Sequence, residues 1–369
     1  GAPAGTKGIS LFLVPKFIVN DDGSIGSRNG VNTASIETKM GIKGSPTCVL
    51  NFENAKGYLI GPENKGLNSM FTMMNLERIV VGVQGLGISE TAYQNALSYS
   101  KERKQGVANN SKSKEADLII KHADIRRSLM NMKALIEGQR SLAFWVSQQI
   151  DVGLSHPDKE IKDSSNDIVS LMTPVIKSFF TDIGMEITND AIQIFGGYGY
   201  TKDQGIEQLF RDNRITPIYE GTNSIQAIDL VYRKILNNKI FDKYIYQINE
   251  EIKETSKNKK LSLFSTKLEK YIELLVNFTT WLGKKHKTSK DDVSSACNDY
   301  LKVFGYVSLG YSWLKILRIS HEKLQSNKDF FEDKINTATY YFDKILPRVQ
   351  SHYVSAISGS ESTMKGNFN

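Results

Sequence analysis

At 369 residues the chain has room for two or three domains; 40% of its residues are apolar, and no run of about 18 apolar residues marks a membrane span. The net charge of +7 is modest for this size and suits an anionic ligand. The lysines are scattered and no aromatic–basic module is visible, which gives nucleic acid little support. Only two cysteines occur, Cys48 and Cys297, without metal or redox spacing, so no metal is expected and a reducing compartment fits.

The chain opens with GAPAGTKG, a loop-like stretch leading straight into ISLFLVP. A free-standing domain rarely starts so abruptly, so the expectation is that an N-terminal part is missing; no signal peptide is read. The first ~60 residues read as strands: Ile9 to Val14, Asn29 to Ile36 and Pro46 to Phe52, with a turn at Asp21-Asp22-Gly23. This is half of a β-domain, too small to close on itself.

From Gly66 the period becomes helical. Leu67, Met70, Phe71 and Met74 begin a long helix that continues through Val80, Val83 and Leu86 towards Tyr99. A polar loop, Lys104 to Ser113, ends it. A second helix carries Leu118, His122, Ile125, Leu129, Met132 and Ile136 on one stripe and runs to about Ile150. After GLSHPDKE a third carries Leu171, Val175, Phe179, Ile183 and Ile187. Thr173-Pro174 is either its N-cap and first position or a kink in a helix already running. A fourth helix spans about Thr222 to Leu236, and four long helices so joined imply a bundle. Beyond Asn237 the composition turns to Lys, Asn and Tyr, and three amphipathic helices are expected at about 261–285, 291–325 and 329–357, with a frayed tail from Gly359.

The stretch from Gln193 to Gln226 concentrates the candidate chemistry. Glu220, between Tyr219 and Gly221 at a loop-to-helix junction, is a candidate base: a carboxylate accepts a proton usefully when burial lifts its pKa towards the working pH. The competing reading is an acidic residue favourably placed near a helix N-terminus. Gln193, Gly196, Gly197 and Gly199 form a Gly-rich turn that could present backbone N–H groups to an anion or a flat cofactor, or serve only as a helix C-cap. It follows no strand, which excludes a Rossmann fingerprint. Arg103 and Lys104 suit phosphate, or merely cap a helix. Glu207, Arg211, Asp212 and Arg214 read as a salt-bridge group, Arg78 as paired or facing a ligand, and His122 as a core histidine.

The stretches GTKGISLFLVPK, GPENKGLNSMFTMMNLERIVVGVQGLG, YSKERKQG, QIFGGYGY, LFRDNRI and YEGTNSIQ, in that order over residues 1 to about 236, resemble the acyl-CoA dehydrogenases. HADIRRSLMNMKALIEGQR and YEGTNSIQAIDLVYRKIL, with the added helical C-terminus, look most like the larger bacterial branch that includes the 3-methylmercaptopropionyl-CoA dehydrogenases. The resemblance implies a mainly α fold: a partial β-domain (1–57), a four-helix bundle of acyl-CoA dehydrogenase type (58–236) and an additional C-terminal helical domain (237–369). It implies an FAD enzyme that places a trans double bond between Cα and Cβ of an acyl-CoA thioester, with Glu220 removing the α-proton while hydride passes to the flavin. Gly221 would lie beside the thioester, and Asn75 and Arg78 would meet the CoA ester, although position 75 is an acid in some relatives. Thr222, Asn223 and Ser224 would contact FAD. Arg103, Lys104 and Gln105, with Gln193, Ile194, Phe195, Gly196 and Gly197, would hold the FAD of a neighbouring subunit. The family passes electrons to an electron-transfer flavoprotein and forms dimers or tetramers; a bacterial cytoplasmic location follows from the branch. The loops covering the flavin would belong to the missing N-terminal part. An acyl-CoA oxidase, a non-catalytic or DNA-binding protein on this scaffold, and an inactive fragment are the alternatives.

Overall fold

The computed structural model describes residues 1–236 and 240–368, so the expected boundary at 237 lies outside the described residues. The chain divides into two compact units, Gly1–Glu77 and Arg78–Asn369, with the division inside the first long helix.

The first unit holds six short strands: β1 (Leu11–Leu13), β2 (Phe17–Val19), β3 (Ile25–Arg28), β4 (Val31–Ile36), β5 (Cys48–Phe52) and β6 (Tyr58–Ile60). They form three antiparallel pairs, β1 with β6, β2 with β3, and β4 with β5. Phe12, Leu13, Val19, Ile25, Phe52 and Leu59 are exposed, so these strands build almost no core of their own. The centre is polar instead. The Asn29 amide donates to the carbonyls of Pro15 and Lys56 at 2.8 Å each, and its oxygen accepts from Gly30 N and Lys56 N. β2, β3 and β6 escape the sequence reading because strands of three or four residues leave little alternation to detect.

The long helix α1 (Gly66–Ser100) is followed by α2 (Ala123–Ser155), α3 (Lys159–Phe195), α4 (Gly197–Tyr200), α5 (Ile206–Asn213) and α6 (Asn223–Ile228). Then come α7 (Ile240–Ser256), α8 (Ser262–Lys285), α9 (Lys290–Glu322), α10 (Lys328–Tyr340), α11 (Arg348–Ile357) and α12 (Glu361–Met364). The expected mainly α architecture, a partial β-domain ahead of a helical bundle and further C-terminal helices, is what the chain adopts.

Several expectations on element bounds are corrected. α3 starts at Lys159, where the Asp158 carboxylate caps Glu160 N and Ile161 N, and Pro174 sits inside a running helix. Thr173 is therefore no N-cap; its hydroxyl donates back to the Val169 carbonyl at 2.7 Å. The fourth helix is α-helical only to Ile228 and continues as a wider π-helical segment, Asp229–Ile235. The tail is not frayed at its start: Ser360 is 6% exposed, and its N–H and hydroxyl donate to Asp292 at 2.8 and 2.6 Å. Lys285 pairs with the same carboxylate at 2.7 Å, and these contacts hold the Asp292 pKa well below the usual range. α7 was not among the expected helices, although Tyr244, Ile248 and Ile252 supply a buried stripe.

One hydrophobic core joins the helices on both sides of the 237–239 stretch, running from Leu135, Leu171 and Phe179 to Tyr244, Phe304, Trp313 and Tyr341. Trp313 Nε1 donates to the Ala134 carbonyl at 3.0 Å, and Tyr244 donates to Ser308 at 2.8 Å, so its large rings bring their polar atoms already satisfied. Trimming Trp313 to alanine would cost about 3–5 kcal/mol. α3 is also long and apolar enough to cross a membrane, but 78% of its apolar window is buried in this core, as expected of a central helix.

Candidate functional site

Two clusters assemble in the helical unit. The first surrounds Glu220. The turn Arg214–Gly221 leaves α5 and delivers the chain to α6, and Glu220 and Gly221 both take left-handed backbone angles, φ 56° and 86°. For a glutamate that conformation is strained. It is held by the residue's own carbonyl, which accepts from Arg78 Nε at 3.3 Å and Gln226 Nε2 at 3.0 Å. Gln226, fully buried in α6, also reaches the Gly221 carbonyl at 3.4 Å. A Cβ at Gly221 would stand 2.8 Å from that amide, so the position needs glycine for space as well as for φ. The Tyr219 hydroxyl donates to Gln84 of α1. The Glu220 carboxylate is half-buried and, among the described residues, has no hydrogen-bond or ion-pair partner. The backbone is thus fixed and the carboxylate left free.

Behind the turn lies a buried polar network. Asn223 Nδ2 donates to Asp182 at 2.7 Å, to Thr181 at 3.0 Å and to the Ser178 carbonyl at 3.2 Å, while its oxygen accepts from Lys177 Nζ at 2.8 Å. Lys177 is 0% exposed. Burial lowers its pKa to about 8 and raises that of Asp182. Asn223, expected at a cofactor, turns its amide into α3 in this arrangement. Thr222 caps α6, accepting from Ile225 N at 3.4 Å, and exposed Ser224 accepts from Asn298 at 3.4 Å. Asn75 is exposed on α1 within the first unit.

The second cluster lines a cavity of about 980 Å³. Arg103, Gln105, Gln193, Ile194, Phe195, Gly196 and Gly197 meet there, joined by Tyr99 and His122. The Phe195 ring stacks on Tyr99 at 4.2 Å. Arg103–Gln105 is pinned to Asp117–Ile119: Gln105 N donates to the Asp117 carbonyl at 2.9 Å and Ile119 N to the Arg103 carbonyl at 2.8 Å. Lys104, paired with Leu118 across this bridge, is not among the lining residues. His122 is not on a core stripe. It is the extended N-cap of α2, and its Nε2 lies 2.8 Å from the Gln105 carbonyl, because the helix begins at Ala123. Within the expected salt-bridge group, Arg211 forks onto Glu207 at 2.5 and 2.9 Å, and Asp212 accepts from Gln208 at 3.2 Å.

This cavity fits one part of a dinucleotide cofactor. Its volume falls at the upper end of the ~300–1,000 Å³ usual for small-molecule sites. Its walls combine apolar rings, the cations Arg103 and Arg127, and exposed backbone at Gly196–Gly197, where an added Cβ would meet nothing within 4 Å. Sequence reasoning missed Lys177, Asp182, Gln84 and Gln226. Lys177 carried one signal, a cation between Ile176 and Phe179 in an otherwise apolar stripe.

The comparisons agree with this architecture. The family profile described as acyl-CoA dehydrogenase, C-terminal domain, matches residues 64–236, and one described as acetyl-CoA dehydrogenase C-terminal like matches residues 248–366. The 3-methylmercaptopropionyl-CoA dehydrogenase of Ruegeria pomeroyi is 43% identical over 64% of this chain and 40% of its own length. A butyryl-CoA dehydrogenase of Syntrophomonas wolfei is 31% identical over 99% of this chain and 61% of its own. The chain thus spans between two fifths and three fifths of these curated relatives. In fold it is similar to ACDH-11 of Caenorhabditis elegans in complex with C11-CoA, with a TM-score of 0.79 and 20% identity over 99% of this chain and 58% of that one. It is similar also to an acyl-CoA dehydrogenase complexed with FAD from Bacillus anthracis, with a TM-score of 0.73 and 20% identity over 89% and 57%. The two profile matches, consecutive along the helical part of the chain, place it in the acyl-CoA dehydrogenase family, in the branch with additional C-terminal helices.

Proposed function

We propose that this chain contributes the base and part of the cofactor site to an FAD-dependent dehydrogenation of an acyl-CoA thioester to its trans-2-enoyl-CoA. The observation that carries the reading is the Glu220 carboxylate, free of partners on a backbone locked in a strained turn. The thioester carbonyl acidifies the α-carbon, and Glu220 takes the α-proton. A carboxylate not already spent on hydrogen bonds to the protein is available as an acceptor. FAD, when bound, would accept the β-hydrogen as hydride. Gly221 admits the substrate close to the backbone, and Arg78 keeps the Glu220 carbonyl tied down while the side chain works.

Arg103, Gln105 and the exposed Gly196–Gly197 turn would hold the FAD in the larger cavity, the guanidinium suiting its pyrophosphate and the side-chain-free turn letting the cofactor approach closely. The names of the curated relatives support the reaction class, and the Bacillus anthracis structure supports the cofactor. Electron-transfer flavoprotein as acceptor, a homo-oligomeric assembly and a cytoplasmic location are part of the same proposal. They rest on the family; the two curated relatives named above are bacterial.

The test is the visible absorbance of the flavin before and after anaerobic addition of a mixed set of acyl-CoAs. Bleaching that disappears in Glu220→Gln supports the reading. A flavin-loaded protein that no acyl-CoA bleaches, or an unaltered Glu220→Gln, overturns it.

A further inference from the structure

A second cavity, about 520 Å³, opens between α2 and the C-terminal helices, apart from the Glu220 turn. Arg126 and Arg127 line it from the first turns of α2; Lys344, between α10 and α11, and Arg348, the first residue of α11, line it from the other side. Met130 and Tyr340 form its apolar wall. Tyr340 is fixed there, its hydroxyl donating to the Arg127 carbonyl at 3.1 Å and to Asn131 at 2.9 Å. Arg348 is already committed, to Glu186 at 3.0 Å and the Tyr306 hydroxyl at 3.3 Å. Asp190 is the other carboxylate whose field reaches Arg127 and Arg348. Four cations therefore face two carboxylates. Among the described residues, the side chains of Arg126, Arg127 and Lys344 have no hydrogen-bond or ion-pair partner.

Three solvent-exposed cations, two adjacent on α2 and one more than 200 residues further on, give this concavity a positive lining that an anion can bridge. Two guanidinium forks and an ammonium suit a tetrahedral dianion better than a single carboxylate, because each fork can grip two oxygens. The volume lies within the range of small-molecule pockets, and the tyrosine ring offers a face to an organic remainder. We propose that this cavity binds a phosphorylated small molecule through Arg126, Arg127 and Lys344. The site shares Arg127 with the larger cavity, and the use of FAD as a blocker in its test rests on the proposed cofactor site.

Pyrophosphate is the probe, titrated calorimetrically at low salt into the full chain with excess FAD present. The FAD keeps the larger cavity, which Arg127 also lines, from contributing. Submillimolar binding is expected, weakened at least about tenfold in Lys344→Glu and in Arg126→Glu, neither of which lines the larger cavity, and unchanged in Arg103→Ala. Raising the salt should weaken it as well. Melting temperatures within a few degrees of the parent confirm that the variants are folded. Absence of binding at millimolar pyrophosphate overturns the proposal. So does loss in Arg103→Ala with retention in Lys344→Glu, and so does binding of a short DNA duplex without any of pyrophosphate.

Discussion

The turn at Glu220 and the turn at Gly196 belong to one helical unit and are built in opposite ways. At Glu220 every backbone acceptor is engaged, from Arg78 and from Gln226, and there is no room for a methyl group on Gly221. At Gly196 the N–H donates to the Gln193 carbonyl at 3.1 Å and the carbonyl accepts from Gly199 N at 2.9 Å, but the space beside the chain is open, and a Cβ added at Gly196 or Gly197 meets nothing within 4 Å. The first aims one side chain by fixing its main chain. The second leaves open space beside its main chain for something else to fill. A reacting group needs placement to within a fraction of an ångström, whereas a bound cofactor can complete a surface that the protein leaves open.

The sharpest break in this comparison is Glu220→Gln, which keeps the turn and removes the proton acceptor. Flavin reduction by acyl-CoA should fall by at least about a thousandfold, within the 10²–10⁴ range of positioned bases, with the melting temperature unchanged. Rapid anaerobic reduction in the variant would remove the base from this turn.

Gly221→Ala attacks the frame and leaves the carboxylate. The alanine must adopt φ near 86° and push against Gln226, so about 2–3 kcal/mol of stability and roughly 100-fold in flavin reduction should be lost together. Chemical denaturation alongside single-turnover kinetics reads both; loss of activity without loss of stability would mean that the turn is not held as described.

Lys177→Met sharpens the account of the network behind the turn. The buried lysine has a folded pKa of about 8, below its unfolded value of 10.5. Between those values the unfolded chain holds more protons, so stability should rise with pH from about 8 to 10.5 and be flat for this group below 8. The rise should amount to about 1–3 kcal/mol and be absent in Lys177→Met, as denaturation at a series of pH values would show.

Gly197→Ala is the smallest change and the mirror of Gly221→Ala. With open space around it in the short helix α4, the alanine should stabilise the fold by about 0.4–1 kcal/mol through the unfolded state. FAD affinity should nonetheless drop several-fold, because the methyl group intrudes on the cavity. Unchanged affinity would take the flavin out of that cavity.

Much of this molecule was legible in its residues. The helical periods of α2 and α3, the Gly-rich turn and the placement of Glu220 at a loop-to-helix junction are local properties, set by side-chain spacing and by glycine. The Arg103–Gln105 and Gln193–Gly197 stretches could be marked as candidates, but their meeting around one cavity depends on the bridge between Gln105 and Asp117, and no local pattern encodes it. Lys104 and His122 show the same limit: both lie in the right sequence neighbourhood, yet the start of α2 at Ala123 and the pairing with Leu118 decide which one lines the cavity.

What the sequence determined by itself, then, is which residues can do chemistry and which stretches are helical, because propensity and period act over a few residues. The tertiary structure decided the rest. It made Gln226 and Arg78 the anchors of the Glu220 backbone, turned Asn223 inward to a buried lysine, merged helices on both sides of residues 237–239 into one core, and gathered Arg126 with Lys344. Apart from Gln226, six residues from Glu220, these partners are distant in the chain, and only packing brings such groups within hydrogen-bonding or Coulombic reach.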